Sequence, residues 1–190
     1  MPPGHQDTKK YPLCLCVLVA KKVGDKMLTA EEMIKLLNLQ KHPEGGYFAE
    51  TYRSKEMITD PHRGQRSYST AIYYMLTPDT FSEMHWLAVD EIFHFYLGDP
   101  VEMLHLYPDG SGKRLLLGND LEKGMQPQVL IPSGVWQGAR LIPGGTFGFT
   151  LMGTTVAPGF EYPDYQSGSR QELTRRYPPF KDLITALTRK

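Results

Sequence analysis

The residues best suited to chemistry lie in one stretch, His85 to Pro100, which reads HWLAVDEIFHFYLGDP. It places His85, Asp90, Glu91 and His94 within ten positions. Imidazoles and carboxylates can bind a metal ion, transfer protons near neutral pH, or hydrogen-bond one another inside a buried sheet. The elements that carry these residues decide between the three interpretations.

The acid–base interpretation requires the fewest groups. A histidine near a carboxylate in a half-apolar interior has a pKa near neutrality, which suits proton abstraction next to a carbonyl. We expect His85 to be the base and Glu91 to be its orienting partner or the opposing acid. The alternative is a hydrogen-bonded pair that only satisfies the polar groups of a buried sheet.

An amphipathic helix precedes the strands. In LTAEEMIKLL, Thr29 is followed three residues later by Glu32, which is the pattern of a capping box. Met33, Leu36 and Leu37 fall on one face. The sequence predicts a short helix that docks an apolar stripe and has no role in chemistry.

After this helix the pattern changes to short segments rich in aromatic and β-branched residues, which are typical of strands. The turn sequences PDGSG at 108–112 and PGG at 143–145 predict hairpin connections. Such strands without intervening helical patterns favour a mainly β fold, namely a sandwich, a barrel or a jelly roll. From about Ser169 the sequence predicts two short C-terminal helices, broken at Pro178–Pro179, that pack outside the sheet.

The length of 190 residues suits a single domain. We assign residues 27–190 to this domain and residues 1–26 to an N-terminal extension that is either an extra strand or disordered. The segment KKYPLCLCVLVAKK outlines a secretory signal, but small residues are missing before a cleavage point.

The charges are balanced, with 21 basic and 21 acidic residues, so neither nucleic acid nor a membrane is expected as a partner. The two cysteines, Cys14 and Cys16, exclude a disulfide framework and a four-cysteine zinc site. They favour a reducing, cytoplasmic location. No apolar run approaches the roughly 20 residues of a membrane span.

Two motifs near the histidines resemble those of cupins. The first cupin motif has His-x-His, three or four residues, Glu, six residues and Gly; His85, Leu87, Glu91 and Gly98 occupy that frame, with leucine in place of the second histidine. The second motif has Pro-x-Gly, two residues and His, whereas here PSGVWQ ends in Gln137.

Longer signatures extend the resemblance over most of the chain from Met27 onward. They are those of an uncharacterised cupin family, a domain of unknown function, of which the chain is identified as a member. The matching segments are His42 to Ser54, Asp90 to Gly98, Pro132 to Gln137 and Val156 to Phe160.

This resemblance implies a double-stranded β-helix, the cupin jelly roll, with a pocket for a small-molecule ligand inside the barrel. It also implies a homodimer. The closest functional look-alikes are the dTDP-sugar epimerase cupins, which use acid–base groups of the protein and no metal. The family has no settled reaction, so the resemblance supplies a fold and a pocket.

Cupin metal sites typically contain three histidines and one glutamate, and this chain departs from that set. Leu87 cannot ligate, and the carbonyl of Gln137 is a weak donor for a transition metal. We therefore expect no cofactor; the alternative is a divalent metal bound by His85, Glu91 and Gln137. Strand alternation places His94 on the face opposite Glu91 unless a bulge resets it.

Further residues are candidates for contact with a substrate. We expect Arg53 to bind an anionic group in bidentate fashion, Gln137 to donate to the ligand, and Phe160 to close over an opening. His42 and Glu44 flank a double-glycine turn and either brace it or line the pocket mouth. Three tyrosines could protonate the other face of the substrate, and a histidine beside one of them is either a ligand contact or a structural pair. The candidate substrate-binding residues are Tyr52, Arg53, Tyr73, His94, Tyr96, Gln137 and Phe160.

Three functions would use such a pocket. The favoured one is a metal-independent isomerase or epimerase acting on a sugar derivative or a similar polar metabolite. The second is a metal-dependent cupin enzyme, either a dioxygenase or an isomerase. The third is a non-catalytic ligand-binding module. The first and third need the same polar, aromatic-walled pocket, so the sequence leaves open whether the chain is an enzyme.

Overall fold

The computed structural model describes residues 27–189, which contain three α-helices and thirteen strands. The α-helices are α1 (Ala30–Leu36), α2 (Arg170–Arg176) and α3 (Lys181–Ala186), and short 3-10 helices cover Leu121–Lys123, Tyr162–Asp164 and Pro178–Phe180. The strands are β1 (Gln40–Lys41), β2 (Tyr47–Arg53), β3 (Met57–Asp60), β4 (Gly64–Ser67), β5 (Thr70–Leu76), β6 (Phe81–Leu87), β7 (Asp90–Gly98), β8 (Val101–Leu106), β9 (Gly112–Leu117), β10 (Gln128–Ile131), β11 (Trp136–Leu141), β12 (Thr150–Ala157) and β13 (Tyr165–Ser167).

Two antiparallel sheets form the body of the fold. One has six strands in the order β1-β2-β5-β12-β7-β10, and the other has five in the order β13-β6-β11-β8-β9. Strands β3 and β4 pair separately as a hairpin. Because strands that are distant in sequence lie side by side, this is a jelly-roll arrangement, and the predicted mainly β fold is confirmed.

Apolar alternation sets which faces are buried. On β8, Val101 and Met103 belong to the cluster between the two sheets, whereas Leu104 and Leu106 belong to a second cluster that includes residues of α2 and α3. The strand is therefore buried on both faces, which explains why four of its six residues are apolar. The C-terminal helices pack outside the five-stranded sheet, as predicted.

Helix α1 begins with the predicted capping box. The Thr29 hydroxyl accepts from the Glu32 amide at 3.2 Å, and the Glu32 carboxylate accepts from the Thr29 amide at 2.8 Å. Met33 packs into a cluster with residues of the six-stranded sheet, together with Leu37. The prediction that Leu36 shares this packed face is wrong: it is exposed, because the helix ends there after seven residues.

One of the two predicted hairpins is correct. The PDGSG turn joins β8 to β9, which pair antiparallel. The PGG segment at 143–145 instead crosses from one sheet to the other, since β11 pairs with β6 and β8 while β12 pairs with β5 and β7. The carboxylate of Asp99 fixes this crossover by accepting hydrogen bonds from the amides of Thr146, Phe147 and Gly148.

The predictions made for residues 1–26 lie outside the described residues. Within residues 27–189, no helix is long and apolar enough to cross a membrane.

A double-glycine turn joins β1 to β2. Gly45 and Gly46 have φ values of +113° and +72°, which side-chain-bearing residues rarely adopt. A Cβ atom on Gly45 would lie 2.1 Å from the carbonyl oxygen of Phe81 on the facing sheet. A backbone hydrogen bond also attaches the turn to that sheet, since the Glu83 amide donates to the Glu44 carbonyl at 3.0 Å.

We expect Gly45→Ala to lower the free energy of unfolding by about 3 kcal/mol, because both the positive φ and the clash with Phe81 oppose the new methyl group. Gly110→Ala is the matched control: its φ is +90°, but nothing lies within 4 Å of the added Cβ. It should cost only the backbone contribution of about 1 kcal/mol. Urea unfolding of both variants measures the difference, and equal losses would contradict the close approach.

Candidate active site

A cavity of about 230 Å³ lies between the two sheets. Its interior polar residues come from the double-glycine turn and from strands of both sheets: His42, Glu44, Tyr74, Ser82, His85, Glu91 and Thr154. Its apolar walls include Phe48, Ile72, Leu87, Phe93 and Val156. Its solvent-facing mouth includes Glu50, Arg53, Phe160, Glu161 and Tyr162.

His85 lies on β6 and is 3% exposed. Its Nδ1 atom is 2.7 Å from the carbonyl oxygen of Glu83. Because a carbonyl can only accept, Nδ1 carries the proton and the neutral ring has its lone pair on Nε2. Nε2 makes no hydrogen bond within residues 27–189, so it is free to meet a molecule in the cavity. Burial lowers the pKa of His85, although Glu91 acts in the opposite direction.

Glu91 lies on β7 in the opposite sheet and is 7% exposed. The side-chain amide of Gln137 donates to its Oε2 atom at 2.5 Å, and Thr154 also hydrogen-bonds to it. Gln137 is the direct sheet neighbour of His85, so this hydrogen bond connects the two walls. Burial raises the pKa of Glu91, and the attraction to His85 lowers it only in part.

Glu44 comes from the double-glycine turn, and its Oε2 atom lies 3.4 Å from His85 Nδ1. Burial raises the pKa of Glu44 to about 8; repulsion from Glu83 adds to this shift and Arg189 opposes it. His42 sits on the same turn and accepts the Glu44 amide hydrogen bond through Nδ1 at 3.2 Å. Burial lowers the pKa of His42 to about 4, and His85 contributes to that shift.

At the mouth, Arg53 binds two carboxylates at once. Its Nε and Nη2 atoms donate to Glu50 at 3.0 and 2.9 Å, and its Nη1 atom donates to Glu161 at 2.8 Å. The guanidinium predicted to bind an anionic group of the substrate is therefore already paired. The neighbouring Tyr162–Asp164 turn is fixed by a buried, bidentate ion pair between Arg66 and Asp164.

Of the predicted site residues, His85, Glu91, Arg53 and Phe160 line the cavity. Gln137 is buried and does not line the cavity, but its side-chain amide donates to Glu91, which does. The structure therefore places both predicted catalytic residues and two of the seven predicted substrate-binding residues, Arg53 and Phe160, at the cavity, and it places a third, Gln137, in contact with Glu91.

The other four predicted substrate-binding residues, Tyr52, Tyr73, His94 and Tyr96, do not line the cavity. His94 and Tyr96 lie on the outer face of β7, as alternation predicts: His94 Nε2 lies 3.0 Å from the Thr155 hydroxyl, and Tyr96 packs over Gly153. Tyr73 packs edge-to-face on Tyr96. These side chains cannot protonate a molecule between the sheets.

Tyr52 is displaced for a different reason. A register shift between Glu50 and Tyr52 interrupts the pairing of β2 with β5, and Tyr52 is 55% exposed. No residue pattern around Glu50 indicates this bulge.

The sequence leaves the role of His42 and Glu44 open and does not indicate Tyr74, whose hydroxyl donates to the Gly45 carbonyl at 2.8 Å. The only sequence feature that points to this part of the site is the presence of two titratable residues, His42 and Glu44, beside the double glycine. Their contact with His85 joins positions more than 40 residues apart, which no local pattern reveals.

These features define a cupin, and the comparisons with known proteins agree. The profile of the family described as "Cupin superfamily (DUF985)" matches residues 31–167, and the chain belongs to this family. The "Uncharacterized protein YML079W" of Saccharomyces cerevisiae is 34% identical over 147 residues, which cover 71% of this chain and 73% of that protein.

Solved structures extend the likeness. A "Hypothetical protein from Leishmania major" has a TM-score of 0.80 at 30% identity and covers 86% of this chain and all of that one. Protein SO0799 from Shewanella oneidensis has a TM-score of 0.77 at 34% identity and covers 86% and 99%. Oxalate decarboxylase from Bacillus subtilis, at 15% identity with a TM-score of 0.50, covers 77% and 36% and shows the fold alone.

The side chains at the position of a cupin metal do not fit a metal ion. Leu87, in the place of one histidine, lines the cavity, and Gln137, in the place of another, turns its amide nitrogen toward Glu91. In the part of the chain described, no group of three or more His, Cys, Asp or Glu side chains is arranged to hold a metal. The alternative metal set of His85, Glu91 and Gln137 contains only two good ligands, His85 and Glu91, which are too few to hold a transition metal against water.

The carboxyl groups of the cavity make stability depend on pH. The pKa of Glu44 is 4.5 in the unfolded chain and about 8 in the folded protein. Between these two pH values the folded protein keeps a proton on Glu44 that the unfolded chain releases, so the free energy of unfolding falls as pH rises. The pKa values of His42 and His85 are lowered from 6.5, so below pH 6.5 the unfolded chain binds more protons on these rings than the folded protein does. Their contribution to the free energy of unfolding therefore rises with pH in that range. From pH 6.5 to 8 we expect Glu44→Gln to remove a decline of about 2 kcal/mol, measured by urea unfolding.

Glu122→Gln is the control for this experiment, because Glu122 is exposed and outside the cavity. Its pH profile should follow that of the parent. A Glu44→Gln profile that declines as steeply as the parent profile would count against a buried, protonated Glu44.

Restoring the missing histidines tests the orientation of the two positions. The double variant Leu87→His, Gln137→His should bind Mn²⁺ or Co²⁺ roughly 100-fold more tightly than the parent, because it supplies three imidazoles and frees Glu91. Isothermal titration calorimetry measures this affinity, and adding His85→Ala should abolish the gain. Unchanged affinity in the double variant would contradict the inward placement of Leu87.

Proposed function

We propose that this cupin binds a small polar molecule in its cavity and isomerises or epimerises it by proton transfer, without a metal. The observation that supports this proposal best is the state of His85, which lines the cavity: Nδ1 is fixed by a backbone carbonyl, and Nε2 makes no hydrogen bond to any residue from 27 to 189. A buried imidazole of this kind is a base with a defined tautomer.

The opposing wall supplies the acid. Burial raises the pKa of Glu91, so its carboxyl group tends to hold a proton, and Gln137 and Thr154 fix its orientation. In the proposed step, Nε2 of His85 removes the proton from a hydroxyl-bearing carbon next to a carbonyl. The electron pair of that C–H bond forms an enediol as Glu91 protonates the carbonyl oxygen. His85 then delivers its proton to the former carbonyl carbon while Glu91 takes back the proton of the hydroxyl group on the neighbouring carbon, which forms the new carbonyl and restores both groups.

The cavity is suited to such a substrate by its walls. Phe48, Phe93 and Ile72 offer an apolar surface, while the hydroxyl groups of Ser82 and Thr154 offer hydrogen bonds to a polar face. A volume of about 230 Å³ accommodates a molecule of sugar size rather than a nucleotide-linked one. A non-catalytic binding module would use the same contacts and is an outcome of the test.

Hydrogen exchange tests the acid–base step directly. Aldoses, ketoses and dihydroxyacetone are incubated with the protein in D₂O, and loss of the proton next to the carbonyl is followed by ¹H NMR. We expect His85→Gln to slow this exchange by about 10³-fold and Glu91→Gln by at least about tenfold. Treatment with a chelator should leave the rate of the parent unchanged.

His62→Gln is the matched control, since His62 is exposed and lies in the β3–β4 hairpin away from the cavity. Exchange that survives His85→Gln, or that disappears with the chelator and returns with metal, would overturn the proposal. Thermal stabilisation by one of these sugars without exchange would identify a binding module instead.

A further inference from the structure

The side chains that line the cavity and its mouth include more acidic than basic groups. Within residues 27–189, Arg53 is the only lysine or arginine that lines the cavity. Four carboxylic side chains line it, two at the mouth and two inside: Glu50, Glu161, Glu44 and Glu91.

At the mouth, four of the five N–H groups of Arg53 donate to protein acceptors. Three nitrogens of Arg53 donate to Glu50 and Glu161 at 2.8 to 3.0 Å, and Nη2 also approaches the Phe160 carbonyl at 3.4 Å. The group formed by Glu50, Arg53 and Glu161, here called the mouth triad, therefore has one negative charge in excess.

The interior offers no compensating positive charge. Burial lowers the pKa values of His42 and His85, so both rings are neutral near pH 7. Glu44 and Glu91 are neutral or negative, never positive, and Arg189, the cation that acts on Glu44, is bound to Glu83 outside the cavity lining.

We propose that this cavity selects small polar molecules without a negative charge and rejects phosphorylated or carboxylate-bearing ones, and that the mouth triad sets this selectivity. An anion could form a bidentate pair with Arg53 only by displacing Glu50 or Glu161, which would leave that carboxylate unpaired beside it. Selectivity of this kind comes from the repulsion of the wrong ligand as much as from attraction to the right one.

This inference rests on the proposed function for the use of the cavity as a ligand site, but not for catalysis. It narrows the ligand to uncharged sugars, polyols or carbonyl compounds, and to amines. It also separates this chain from the dTDP-sugar epimerase cupins that it resembles, because a nucleoside diphosphate would bring two phosphates past the mouth triad.

The test uses His85 as a chemical probe of the cavity. Its Nε2 lone pair can displace iodide from iodoacetamide, which is neutral, or from iodoacetate, which is an anion of nearly the same size; a C–N bond forms and iodide leaves. Peptide mass spectrometry gives the rate at each histidine. Exposed His62 in the same chain serves as the internal reference for the intrinsic difference between the reagents.

We expect the iodoacetamide-to-iodoacetate rate ratio at His85 to exceed the ratio at His62 by about tenfold, at the lower end of the focusing effect of a charged cleft. In the variant Glu50→Gln, Glu161→Gln the freed guanidinium of Arg53 should attract the anion, so the ratio at His85 should fall to or below the ratio at His62. Glu102→Gln, which alters an arginine–glutamate pair away from the cavity, should leave the ratio unchanged.

Each other result would overturn the inference. A ratio at His85 equal to or below that at His62 in the parent would show that anions enter freely. An unchanged ratio in the double variant would show that the mouth triad does not set the selectivity. No alkylation of His85 by either reagent would contradict an accessible cavity. The expected ratios without hydrogen exchange in D₂O would refute catalysis and leave the charge selectivity standing.

Discussion

An imidazole and two carboxyl groups lie between two apolar sheets, where an ionised group loses hydration that few protein contacts replace. The rest of the site follows from this cost. His85 responds by staying neutral, with its Nδ1 proton directed to a backbone carbonyl, and Glu44 and Glu91 respond by holding protons more tightly than in water. The same desolvation that threatens the fold therefore produces a free base and a pair of weak acids around one cavity.

The two sheets have to hold these titratable groups close together and keep water away, because contact with water would reverse the pKa shifts that burial causes. Two devices achieve this. The double-glycine turn lets the backbone approach Phe81 so closely that Glu44 reaches His85, and the hydrogen bond from Gln137 to Glu91 ties one wall to the other. Both devices exchange stability for position, because a positive φ and a buried carboxyl are each unfavourable by themselves.

Much of the fold could be predicted from the sequence because its signals are local. The capping box at Thr29, the apolar alternation and the outward placement of His94 depend on neighbouring residues only. The contact of Glu44 with His85 and the pairing of Arg53 with Glu161 join distant strands, and the bulge beside Tyr52 is a property of two strands together. Such features have no local signature, so the composition of the site could be predicted better than its charge.

The substitutions that distinguish this chain from a metal-binding cupin have a common physical consequence. A histidine at position 87 or 137 would bring a further titratable group to the cavity, whereas Leu87 adds only an apolar wall and Gln137 adds a permanent neutral donor. Among the described residues that line the interior, those whose charge can change near neutral pH are then His85, Glu91 and the turn residues His42 and Glu44. The protonation of these groups is governed by burial and by one another, and the mouth triad then decides which molecules meet them.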